Sequence, residues 1–219
     1  MNKAIILSVQ PKWLHKILTG KKTIEIRKSM PKDCDYPIDV YLYCTKAKPF
    51  LMVGRNDNKT YLDNGGKESA YSPNHNYIGN KRIVAKFTLN KVVEILPFKK
   101  QKRDKVYITY LSHCGDVNWG NKTCLDQVDF ENYLGLKTGY GWHIENLEIF
   151  DKPMDLKEFY RNHFDEDEAK PCNCGKYCEF QDYDYVENQP CCGIDYNGFA
   201  CPFLKVQRPF QSWGYAYKE

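Results

Sequence analysis

The chain has 219 residues, 42% hydrophobic and 27% charged, a composition that suits a folded globular protein and excludes a wholly disordered one. No apolar run approaches the ~20 residues of a membrane-spanning helix, and the apolar stretch after the first three residues is too short for a secretory leader. The formal net charge of +4 is split: residues 151–219 hold 8 Lys/Arg against 13 Asp/Glu, which leaves 24 against 15, a net of +9, in residues 1–150.

In chain order, Lys3–Ser8 carries the apolar run Ala4, Ile5, Ile6, Leu7 and predicts a buried strand. A helix should follow, with Pro11 at its first position, Trp13, Leu14, Ile17 and Leu18 on one face, and Gly20 as its stop. Thr23–Arg27 alternates, which places Ile24 and Ile26 on a core face and Glu25 and Arg27 on the opposite one. Ile38–Thr45 is a further strand, with Ile38, Val40, Leu42 and Cys44 on one face. Residues 46–80, rich in Asn, Gly, Lys and Ser, show little periodicity and read as an insertion, a lid or a partly disordered segment. Arg82–Leu96 is a long β-prone stretch ending at Pro97, followed by the basic loop KKQKRDK over Lys99–Lys105. Helical spacing returns in Cys124–Leu136 through Leu125, Val128, Tyr133 and Leu134. Tyr140–Phe150 reads as a last strand that Asp151-Lys152-Pro153 ends. Short strands with two or three helices make an α+β domain, a curled sheet or small β-barrel with flanking helices.

The segment Gly20-Lys21-Lys22-Thr23-Ile24-Glu25-Ile26-Arg27 is the most specific in the chain. Glu25 and Arg27 leave one face of a strand, and Lys22 stands at its mouth, so an amine, a carboxylate and a guanidinium converge. The carboxylate can accept hydrogen bonds or act as a base, the guanidinium can bind phosphate, and the amine can bind phosphate or attack a carbonyl. An ion pair bracing the strand would use the same residues.

This arrangement resembles the ASCH family of the PUA-like superfamily, whose recurring element is a first helix ending in G-x-K followed by x-x-E-x-R. Here it reads Gly20, Lys22, Glu25 and Arg27. Trp142-His143-Ile144 and Phe150-Asp151-Lys152-Pro153 look like the closing strand of longer, phage-associated members, and Arg208-Pro209-Phe210-Gln211-Ser212-Trp213 is similar to a C-terminal R-P-P-Q-S-W element of that group. The resemblance implies a cleft beside Lys22, Glu25 and Arg27 and binding of RNA. Small members of the family hydrolyse the amide of N4-acetylcytidine with the lysine and a threonine of the following strand, and Glu25 stands in the place of that threonine.

Ten cysteines in a reducing compartment favour free thiols or metal ligands over disulfides. Cys34, Cys44, Cys114 and Cys124 are scattered and read as small buried hydrophobes, whereas Cys172, Cys174, Cys178, Cys191, Cys192 and Cys201 crowd together. Cys174, Cys178, Cys192 and Cys201, with Cys172 and Cys191 as alternates, offer a tetrahedral zinc site, structural in role. An iron–sulfur cluster or unliganded thiols remain alternatives. The surrounding tail has few aliphatic residues, and metal binding would supply what its core lacks.

These readings converge on a cytoplasmic protein of two segments: an ASCH/PUA-like domain over residues 1–155, and an acidic, cysteine-rich tail over 156–219 packed against it. The expected partner is RNA or a modified nucleotide, with no membrane, and nothing in the sequence specifies an oligomeric state. Lys22, Glu25, Arg27, Trp119 and Trp142 are the nucleic-acid-binding candidates, the tryptophans as stacking platforms or as core. The alternatives are a hydrolase, an amidohydrolase or ribonuclease with Lys22 and Glu25 as catalytic residues, and an adaptor whose acidic tail binds another protein.

Overall fold

The computed structural model of the protein describes residues 2–65, 72–102, 105–112, 119–160, 206 and 208–218. The chain begins with β1 (Asn2–Val9), α1 (Pro11–Leu18), β2 (Ile24–Arg27) and β3 (Ile38–Cys44). These are the four elements that the sequence pattern predicts. Pro11 starts α1 where a missing N–H costs nothing, and Gly20, at φ +70°, turns the chain out of it.

Residues 46–80, read as an insertion, a lid or a partly disordered segment, are partly strand among the described residues. They contain β4 (Phe50–Gly54), β5 (Thr60–Asp63) and β6 (Asn76–Ile78), which form a three-stranded sheet in the order β5-β4-β6. Strands of three to five residues are too short to show a period, so the polar turns between them dominated the pattern. Beyond them the single β-prone stretch is two strands, β7 (Ile83–Leu89) and β8 (Val92–Lys102), and β8 runs through Pro97. The proline is tolerated because β10 (Gly139–His143) pairs β8 only over Val92–Ile95, which leaves one side of the strand without a ladder at Pro97. The basic run is not a simple loop either. Lys99–Lys102 pair with Lys105–Ile108 of β9 (Lys105–Ser112) in a hairpin.

The short helix α2 (Trp119–Thr123) and α3 (Gln127–Leu134) come next. Asp126 caps α3 and exchanges hydrogen bonds with Asp129 in a capping box. The buried face of α3 is Phe130 and Leu134, whereas Val128, expected inside, is 61% exposed and Tyr133 is exposed too. The chain closes with β11 (Glu145–Met154), which continues through Asp151-Lys152-Pro153 instead of ending there, a single 3-10 turn at Leu156–Glu158, and β12 (Trp213–Lys218).

The twelve strands form three sheets, and none closes into a barrel among the described residues. The largest has the order β11-β7-β3-β1-β12, with β1 and β3 parallel. A second has the order β2-β10-β8-β9. The central sheet is covered on both faces, which explains the unbroken apolar run of β1. Ile5, Leu7 and Val9 pack with Leu14, Ile17 and Leu18 of α1, Leu51 and Val53 of β4, and Trp142. Ala4 and Ile6 pack behind, with Tyr41, Tyr43, Phe159, Val206 and Ala216. A smaller core of Ile24, Ile26, Ile95, Phe130 and Leu134 lies between the second sheet and α3.

Strand β12 pairs β1 from Asn2↔Lys218 to Leu7↔Trp213, and Val206 and Ala216 share one core with Ala4 and Ile6. Cys172, Cys174, Cys178, Cys191, Cys192 and Cys201 lie outside the described residues. No helix among the described residues is long and apolar enough to cross a membrane.

Candidate functional site

Strand β2 is buried on both faces, and that is what makes its polar residues informative. Ile24 and Ile26 turn towards Phe130 and Leu134 of α3. Glu25 and Arg27, on the other face, turn inward towards the main core, where Trp142 is the cross-strand partner of Glu25. The expected polar face is therefore nearly closed off: Lys22, Glu25 and Arg27 are only 2%, 7% and 8% exposed.

Lys22 is placed by backbone geometry. After Gly20 the Lys22 N–H donates back to the Lys16 carbonyl at 2.9 Å, which fixes the exit from α1, and Thr23 N–H donates to the Lys122 carbonyl of α2 at 2.8 Å. The Lys22 amine then donates to the Thr123 carbonyl at 2.7 Å and lies 3.4 Å from Glu25 Oε2. Arg27 takes the other side of the carboxylate, at 3.0 Å from Oε1. Two basic groups thus hold one buried carboxylate, and the low-dielectric surroundings strengthen both attractions while raising the cost of burying the charges.

Arg27 also ties the sheets together. It donates to the Ser8 carbonyl of β1 at 3.0 Å and to Ser212 Oγ at 3.3 Å. Ser8 in turn donates its N–H to the Ser212 carbonyl at 2.8 Å and its hydroxyl to the Phe210 carbonyl at 2.6 Å. The C-terminal R-P-F-Q-S-W segment is therefore part of the site. Trp213 lies edge-on to Trp142 with ring centroids 5.4 Å apart, and its indole N–H donates to Ser29 Oγ at 3.0 Å.

Several polar atoms here are buried without a hydrogen bond: Glu25 Oε2, Arg27 Nε, Trp142 Nε1 and His143 Nε2. Oε2 feels Lys22 as an ion pair, but at 3.4 Å the contact lacks hydrogen-bond geometry. Burial of this kind is costly and uncommon. His143 faces away from Trp142, alongside Ile24. Burial holds its imidazole below the ordinary value, Lys91 and Lys122 act the same way, and Glu145 opposes them. On α3, burial pushes the Tyr133 phenol up while the Arg27 guanidinium beside it pulls down.

Of the expected site residues, the structure brings Lys22, Glu25 and Arg27 into one cluster with Trp142 beside them. Trp142 is fully buried, so it presents no exposed stacking face. Trp119 opens α2, the helix whose Lys122 and Thr123 carbonyls receive Thr23 and Lys22. Sequence reasoning missed Ser8 and Thr123, and named Ser212 and Trp213 in the C-terminal element without placing them at the site. Ser8 carried a signal, as a lone hydroxyl inside the apolar run of β1. Thr123 had none, because it meets Lys22 through its backbone carbonyl. Among the described residues no three His, Cys, Asp or Glu side chains gather as a metal site.

A three-sheet α+β domain whose second strand turns a Lys–Glu–Arg cluster inward is the class that the fold and the site define. The chain belongs to the ASCH domain family: the family's model, described as "ASCH domain", matches residues 7–153. Among solved structures the chain is similar to the ASCH protein of Zymomonas mobilis, 14% identical over 70% of this chain and 73% of that one, with a TM-score of 0.39. Two point mutants of that protein, each 16% identical over 70% of this chain, cover 76% and 74% of theirs with TM-scores of 0.39 and 0.38. No curated protein matches the chain.

Proposed function

We propose that the protein binds RNA, with the base of one nucleotide reaching the Lys22–Glu25–Arg27 cluster. The observation that carries this reading is the pair Glu25 Oε2 and Trp142 Nε1: a buried acceptor and a buried donor on neighbouring strands, at cross-strand partner positions, neither making a hydrogen bond. A nucleobase edge presents donors and acceptors side by side and suits such a pair. Family membership and the net charge of +9 in residues 1–150 support the polymer as partner. The amidohydrolase and ribonuclease alternatives require the Lys22 amine to reach a substrate. Its engagement by Thr123 and Glu25 favours a holding role over attack.

Glu25→Gln tests the reading, because it keeps the volume and removes the carboxylate. Fluorescence titration with labelled single-stranded RNA and with the four nucleosides, alongside thermal melting, separates the outcomes. If a base reaches Glu25, affinity falls by about 1–3 kcal/mol, the range for a lost charged hydrogen-bond partner. If Glu25 only braces Lys22 and Arg27, the melting temperature falls while affinity holds, and the proposal fails. Turnover of an acylated cytidine or of RNA that Lys22→Met abolishes would replace it with the hydrolase.

A further inference from the structure

The cluster accounts for Lys22, but two other lysines share its aromatic neighbour. Trp13 stands on α1, partly buried against the main core. The Lys16 amine lies 4.5 Å from the centroid of its ring, Lys12 4.9 Å and Lys22 5.5 Å. Lys12 is exposed and Lys16 half-buried, and neither forms an ion pair among the described residues. Lys16 donates a long hydrogen bond of 3.4 Å to the Cys124 carbonyl. Glu25, the carboxylate that Lys22 pairs with, is already shared with Arg27.

Distances to one centroid put the Lys12 and Lys16 amines less than 10 Å apart. That is about a Debye length at physiological salt, so they repel one another. The indole face offsets part of the repulsion. An anion between the amines removes more of it. The helix beneath is held in place: Leu14, Ile17 and Leu18 anchor α1 in the core, and His15 Nδ1 contacts Thr60 Oγ1 of β5 at 2.9 Å. An aromatic face with two unpaired cations on a rigid helix matches phosphate and base together, the chemistry of a single strand.

The position relative to the first site matters as much. Lys22 Nζ lies 5.5 Å from the Trp13 centroid and 3.4 Å from Glu25 Oε2, so ring and carboxylate are less than 9 Å apart. Adjacent nucleotides of an unstacked strand can bridge that gap. We infer that Trp13, Lys12 and Lys16 form a second subsite, which takes the phosphate and base of the nucleotide next to the one that reaches Glu25. The ligand is then a single-stranded oligonucleotide and not a free nucleoside. This rests on the reading of Glu25 given above for the first subsite.

The test uses the full chain with labelled single-stranded RNA about eight nucleotides long, within the usual range of single-strand sites, and with the four nucleosides. The wild type should bind the oligonucleotide at least tenfold more tightly than any nucleoside. In the double variant Lys12→Ala/Lys16→Ala the log–log salt slope for RNA should shrink by about 0.7, the value for the one phosphate held between the two amines, with nucleoside affinity unchanged. Trp13→Leu keeps apolar bulk in the core, and should weaken RNA binding about fivefold or more with the slope retained. Nucleosides bound as tightly as RNA, or a double variant with the full slope, would overturn the subsite. RNA affinity unchanged by Glu25→Gln together with a lysine-dependent slope would support the subsite while overturning the reading of Glu25.

Discussion

Gly20 shows how one backbone angle places a functional side chain. At φ +70° it occupies the left-handed region, and an added Cβ would meet nothing within 4 Å, so the cost of a side chain there is purely conformational. Gly20→Ala should lower stability by about 1 kcal/mol, with Gly20→Asn milder, measured by urea denaturation. An unchanged midpoint for Gly20→Ala would mean that the turn relaxes. His143 offers a second residue-scale prediction. Its folded pKa is depressed, so the unfolded chain binds the extra proton. The corresponding stability is fully present above the unfolded value near 6.5 and drains away as pH falls from there towards the folded value. The drop in melting temperature from about pH 7.5 to about pH 5.5, a window that spans the unfolded value, should therefore be smaller in His143→Gln than in the wild type. An equal drop in both proteins would remove His143 from the account.

At the scale of elements, β12 is where the end of the chain meets its beginning. Six paired positions along β1, the Arg27–Ser212 contact and the Trp142–Trp213 pair all depend on it. Trp213→Ala should cost about 2–3 kcal/mol, below the range for a fully buried tryptophan because this one is only partly buried. The loss should appear in both the denaturation midpoint and RNA affinity, since Ser212 and Trp213 hold the wall of the site. A change under about 0.5 kcal/mol would show that the C-terminal strand docks independently of its tryptophan. Helix α3 is a contrast. The spacing of Val128 and Tyr133 suggests an apolar stripe, yet both are exposed and Phe130 and Leu134 carry the buried face.

For the molecule as a whole, charge and cysteine content lead to one further expectation. We propose that each chain holds about one zinc ion, bound by four of Cys172, Cys174, Cys178, Cys191, Cys192 and Cys201, on the ground that six thiols crowd into a segment poor in aliphatic residues. Metal analysis of protein purified without chelator should find zinc near one equivalent, and Cys178→Ser should reduce it. Finding neither zinc nor iron would end the proposal.

Composition and local pattern determined much of this protein. The buried strand β1, the helix between Pro11 and Gly20, and the alternation at Ile24–Arg27 were legible because each is a local periodicity with a clear stop. The Lys22/Glu25/Arg27 motif was legible for the same reason, within eight consecutive residues. Tertiary structure alone decided which way that motif faces. Parity separates Glu25 from Ile24, but it cannot say that α3 covers the isoleucines while the carboxylate turns inward to Trp142. It also decided that β4, β5 and β6 form a sheet, since strands that short gain their stability from neighbours and not from their own sequence. Ser8, Thr123 and Ser212 join Lys22 and Arg27 across separations of 19 to 185 residues, through two carbonyls and a hydroxyl. A backbone carbonyl is the same at every position, so only folding can select the one that matters.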